Sequence, residues 1–377
     1  MIKELFKKEE KKVEYLELIY DLIFVYVIGR NNSLLHHVTG GFVDASIFWG
    51  YILCSLVVIQ IWSFSTYYIN MHGRNGLRDH LFLLTNMFLL YFIGEGTRVN
   101  GQDHQLQYHI AWALILINIG AQYLIERRNH KKEPLVYHQT GRMVVVLFGE
   151  ALIVLGGLPL YYTTGISLVP AAIVFGIAAT FIHGRNTKVL LVDFTHLSER
   201  IMLYVVFTFG EMIIALSSYF EDDFSIGSVY FALMSFLIVV GLFLSYGTVY
   251  DHLIDRARPT PGLLYMLLHI VLIFALNLIT ASLEFMHDSA VSLLPKMLML
   301  ILSFLLYYVF LFLTLRYSKS RCRPNVRFIL MLAAMGVGFS ALMLLFREMM
   351  YVNIALTAVF VFAIFLILYR FSRVNKQ

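Results

Sequence analysis

Three carboxylates stand inside long apolar stretches of this chain: Asp21, Glu150 and Glu211. An ionisable side chain surrounded by hydrocarbon is costly, so it marks a proton relay, a cation site or a buried ion pair. Glu211 lies in HLSERIMLYVVFTFGEMIIAL, 12 residues after Glu199, which is about 18 Å along a helix. Arg200 precedes Glu211 by 11 residues and falls within roughly 20° of the same face. His196 comes one turn before Arg200. Glu150 repeats the pattern, with His138 and Arg142 opening its stretch and a Gly-Glu pair within it. Gly149 and Gly210, each next to such an acid, are expected to let a neighbouring helix approach closely.

The stretch Val13 to Arg30 carries Glu14, Glu17 and Asp21 at i, i+3 and i+7, on one stripe of a helix. Asp21 lies about 6 Å deeper than Glu17. Its counter-charge must therefore stand just inside the same end, where Arg142 and Arg200 enter their helices. Contact of Asp21 with one of these two arginines is the expectation. His269 and Glu284 share a further segment, with Asn277 and Thr280 between them as a polar seam; Glu95 sits at a segment end, where an acid costs little. Asp193, His196 and Glu199 recur every three residues, but that spacing drifts around a helix and no second His supports it, so no metal site is expected. The His36–His37 pair and the acidic Glu221, Asp222 and Asp223 read as solvated loops.

The elements that must position these groups are membrane helices. Of the 377 residues 59% are apolar and 14% charged, and mean hydropathy is +0.74; a soluble chain has about 25% charged residues. Twelve apolar segments of spanning length can be drawn, at 15–35, 44–69, 77–95, 107–125, 141–161, 166–183, 199–219, 227–248, 262–285, 292–315, 326–346 and 349–370. With both termini cytoplasmic, all but four of the 29 Lys and Arg fall on the inner side, the exceptions being Arg30, Arg98, Lys296 and Arg347. That asymmetry explains the net charge of +5 and leaves nucleic acid without a role. The acids from Glu9 to Asp21, and the lack of a small-residue cleavage site, make the first segment a retained helix rather than a signal peptide. Cys54 and Cys322 indicate neither a disulfide framework nor a metal site.

The expected fold is thus all-α, a polytopic transmembrane bundle of about 12 helices forming one integral membrane domain. His80–Glu95 and His269–Glu284 have the same separation on the third and ninth segments. That match suggests two parallel six-helix repeats, with halves 1–190 and 191–377.

Three stretches, in order, resemble the bacterial low temperature requirement A (LtrA) family. Leu16 to Tyr26, LELIYDLIFVY, is similar to its E-L-F-F-D-L-V-F-V opening. His196-x-x-Glu199-Arg200 followed by Gly210-Glu211 is similar to its H-x-x-E-R…G-E helix. Tyr265-x3-His269 with Glu284 is similar to its later Y-x3-H…E helix. The sequence departs where Ile201 and Met202 replace the usual Phe-Gly, and where Ile19 and Tyr20 replace two Phe. The resemblance implies a multi-pass bacterial membrane protein of a family named for growth at low temperature; it implies no particular chemistry.

No Walker loop, G-x-S-x-G, H-E-x-x-H or dinucleotide fingerprint occurs, so neither an enzyme nor a cofactor is expected. The leading expectation is a secondary transporter or a proton- or ion-coupled permease of the cell membrane. It would take an unidentified small solute or ion, with Glu211 as coupling site and Asp21–Arg200 as gating pair. Glu17, Arg142, Glu150, His196, Glu199, His269 and Glu284 complete the candidate polar network. The alternative is a non-transport sensor or organising protein whose buried polar groups only hold helices together. A lipid-directed enzyme with His196 as base would need a nucleophile or metal that the sequence does not offer.

Overall fold

The computed structural model describes residues 11–97, 102–185, 192–220 and 224–374. The expected acidic loop Glu221–Asp223 and Arg98 lie outside them. Twelve α-helices follow one another among the described residues: α1 Tyr15–Asn32, α2 Ala45–His72, α3 Leu77–Gly96, α4 Gln102–Asn129, α5 Pro134–Thr164, α6 Val169–Arg185, α7 Phe194–Ala215, α8 Ile226–Thr248, α9 Leu263–His287, α10 Leu293–Thr314, α11 Val326–Leu345 and α12 Met350–Val374. Each coincides with an expected apolar segment. Nine of them are long and apolar enough to cross a membrane. The other three differ for readable reasons. In its 18 residues α1 carries Glu17, Asp21 and Arg30. In its 20, α3 mixes in Asp79, His80, Asn86 and Glu95. α6 is 17 residues long.

Local chemistry sets the helix ends. Asp193 begins α7 by accepting the His196 backbone N–H at 3.1 Å, so one member of the Asp193–His196–Glu199 series is an N-cap. Ser225 does the same for α8 and Asn325 for α11. Pro134 opens α5 at its first turn, and Gly165 closes it in the left-handed conformation.

The chain divides into two compact units. The first comprises residues 1–35, 45–203 and 259–262, and the second 36–44, 204–258 and 263–377. In the first unit α4 packs on α3 and α5, α5 on α6, and α1 on α2 and α3. In the second, α9 lies on α10 and α8 on α12. Close approach in the first unit centres on Gly176 of α6, where an added Cβ would overlap the Gln60 and Glu150 side chains. Gly149 is also closely approached: a Cβ added there would lie 3.0 Å from the Phe175 ring. Gly210 does not behave as expected: a Cβ there meets nothing within 4 Å among the described residues, because its face of α7 is exposed.

The second unit contains one element the apolar pattern does not announce. Val38–Thr39 and Phe42–Val43 pair antiparallel around Gly40 and Gly41, whose φ angles are 62° and 89°. Two successive positive φ values are the requirement of a tight hairpin. Gly41 also accepts the Ser292 N–H at 2.6 Å, and a side chain there would strike Ser292. Gly41→Ala is expected to cost about 1–3 kcal/mol, seen as a lower thermal midpoint in detergent. Gly40→Asn, at a position with open space, should stay within about 0.5 kcal/mol.

Candidate functional site

α1 brings Glu17 and Asp21 to the start of α7. Asp21 is fully buried, as are His196 and Arg200, and Glu17 is 4% exposed. The Arg200 guanidinium holds Asp21 from two nitrogens, Nη2 donating to Oδ1 at 2.5 Å and Nε to Oδ2 at 3.3 Å. The indole Nε1–H of Trp62 donates to the same Oδ1 at 2.8 Å. Three donors thus saturate a carboxylate with no access to water, a charge-assisted fork in a dry site. Glu17 is held less completely. Its Oε2 lies 3.2 Å from His196 Nε2 and 3.4 Å from Arg200 Nη1. These are ion-pair distances without hydrogen-bond alignment, since all three atoms lack an aligned partner.

Asn70 of α2 completes the cluster, and it sets the tautomer of His196. Its Oδ1 accepts the Asp193 N–H at 3.1 Å and its Nδ2 donates to the Asp193 carbonyl at 2.9 Å. The backbone therefore dictates which way the amide points. The second Nδ2 hydrogen faces His196 Nδ1 at 3.0 Å, so Nδ1 is the acceptor and the ring proton sits on Nε2, toward Glu17. Two carboxylates, Glu17 and Asp21, face one guanidinium inside the cluster. The next charge along, the Lys11 ammonium, is occupied by the carbonyls of Ile69 and Gly73.

The contact expected between Asp21 and an arginine is present, and Arg200 is the partner. Arg142 is half-buried on α5 and has other interactions. Glu199 is half-buried and stands outside the cluster. Glu150 is fully buried; Gln60 Nε2 donates to its Oε2 at 3.2 Å, while Oε1 has no donor among the described residues. In the second unit Glu211 is half-buried, with the Glu284 carboxylate as its electrostatic neighbour. Glu284 in turn bonds His36 Nε2 at 3.1 Å. The exposed His36 is therefore more than a solvated loop residue. His269 is buried, its Nδ1 bonded to the Tyr265 carbonyl at 2.8 Å and its ring 4.2 Å from the Tyr265 ring. Asn277 of the same helix is buried with its Oδ1 unbonded. Glu95 pairs with Arg30 at 3.0 Å and accepts from Tyr26 at 2.5 Å.

Several residues of these networks escape a reading of the sequence. Trp62, Asn70 and Gln60 look like ordinary members of an apolar helix. Glu126 reads as part of a solvated connector, yet its side chain is fully buried and pairs with Arg78 at 2.7 Å and Arg74 at 3.5 Å. The one available signal was its position before Arg127 and Arg128 at the end of α4.

Removing the guanidinium alone, in Arg200→Met, is expected to cost about 3–5 kcal/mol, because Asp21 stays buried without a partner. The Arg200→Met/Asp21→Leu pair should recover most of that loss in a double-mutant cycle of thermal stability. Purely additive losses would show that the two side chains do not interact.

A family model, that of the bacterial low temperature requirement A protein (LtrA), matches residues 12–364. No curated protein and no solved structure matches the chain.

Proposed function

Starting from the fact that the chain belongs to the bacterial LtrA family, we propose that it is a proton- or cation-coupled permease, spanning the membrane twelve times with both termini in the cytoplasm. One observation carries the reading: Glu150, fully buried in an apolar helix, has among the described residues a single hydrogen bond, from the neutral amide of Gln60. A structural acid in such a place is normally matched by a cation or by several donors. Asp21 illustrates that case with its three. An acid left with one neutral partner is suited to taking up and releasing a proton or cation. In this scheme Glu150 and Glu211 are the exchanging groups. Asp21–Arg200 is the lock whose opening lets α1 and α7 move.

The organising-protein reading keeps one observation in its favour, the saturation of Asp21 by Trp62 and Arg200, which is what helix packing alone would need. The two readings differ in proteoliposomes loaded with a pH-sensitive dye. A permease gives protein-dependent collapse of an imposed proton gradient, with Glu150→Gln slowing it to the rate of protein-free vesicles and Glu211→Gln slowing it substantially. Rates equal to wild type in both variants would sink the permease reading.

A further inference from the structure

The first unit contains a cavity of about 410 Å³, within the size range of small-molecule sites. It lies where α2 and α6 begin and α5 ends. Its wall includes the rings of Tyr108, His109, Tyr161 and Tyr162, and no Lys, Arg, Asp or Glu lines it among the described residues. Three of the helices that line it, α2, α5 and α6, each continue to one polar spot. Gln60 lies seven residues beyond Leu53 of the wall, Glu150 seven residues from Gly157, and Gly176 seven beyond Val169. Seven residues are two turns, so each stays on the same face of its helix, about 10 Å deeper. There the three meet: Gln60 bonds Glu150, and the bare Cα of Gly176 leaves room for both.

We infer that this cavity binds a small, largely apolar organic monocation of the quaternary or alkylammonium class. Aromatic residues in the wall are the side-chain class that attracts an organic cation and provides apolar area for its alkyl groups. Two turns deeper on the same helix face as Gly157 of the wall lies the carboxyl group of Glu150, whose Oε1 has no donor among the described residues. An anion finds no cationic side chain among the described residues of the wall. A strongly hydrated inorganic cation would find no carboxylate among the described residues of the wall to replace its water. As a substrate class the inference rests on the permease reading; as a binding site it stands on the cavity alone.

The test is titration calorimetry on the detergent-purified full chain, with choline and its uncharged isostere 3,3-dimethylbutan-1-ol as probes. Choline should bind, and the isostere should bind about tenfold more weakly or worse. Gly50→Phe should abolish choline binding, because Gly50 lines the cavity and a Cβ there meets nothing within 4 Å, so the ring enters open space without displacing the fold. Glu150→Gln should weaken choline by about tenfold while leaving the isostere unchanged. Equal affinity for the two probes, no choline binding, or choline binding that survives Gly50→Phe overturns the assignment. Proton flux without choline binding would remove this site and keep the permease. Choline binding without proton flux would do the reverse.

Discussion

A charge carried out of water into an apolar bundle must bring its counter-charge with it, and the Asp21–Arg200 pair is where this chain meets that demand most severely. Neither side chain has any exposed surface. Breaking such a pair leaves an uncompensated charge, so the positions of α1 and the first turns of α7 are tied to each other. Two residues of α2 take part from opposite ends of the cluster, Trp62 at Asp21 and Asn70 at His196. Because Asn70 is itself oriented by the backbone of Asp193, the N-cap of α7, the tautomer of His196 and the placement of Glu17 form one connected arrangement.

Elsewhere the same demand is met locally. Hydroxyls inside the helices donate to carbonyls one turn back, as Thr208 does to Tyr204, Ser245 to Gly241 and Thr280 to Leu276. Such bonds let a small polar residue sit in an apolar helix without a partner from another. A carboxylate cannot do this, since it accepts and does not donate when ionised. Asp21 solves the problem with a guanidinium and an indole. Glu126 solves it with Arg78 and Arg74. Among the described residues Glu150 has only the amide of Gln60, and that difference, rather than burial as such, singles it out.

The positions of all twelve helices were legible in the sequence because hydrophobic length is a local property, readable in a window of about 20 residues. The hairpin at Gly40–Gly41 was missed because two-residue strands have no measurable alternation. The pairing of Asp21 with an arginine could be narrowed to two partners by depth alone, since a charge one turn inside a helix can reach only charges at the same level. Choosing Arg200 over Arg142 required knowing how the helices pack. Gly210 shows the opposite error: a Gly-Glu dipeptide looks the same on an exposed face of α7 as at a crowded crossing.

By itself the sequence determined that this is an all-helical membrane protein, where its helices run, and that its charges are too few and too deep to be decoration. Only the tertiary structure decided which groups meet. Trp62, Asn70 and Gln60 carry no charge and no motif, and they become partners of Asp21, His196 and Glu150 across up to 126 residues of chain. Apolar periodicity fixes where a helix lies along the chain, whereas the identity of a polar partner depends on rotation and depth, which are settled when the helices close on one another.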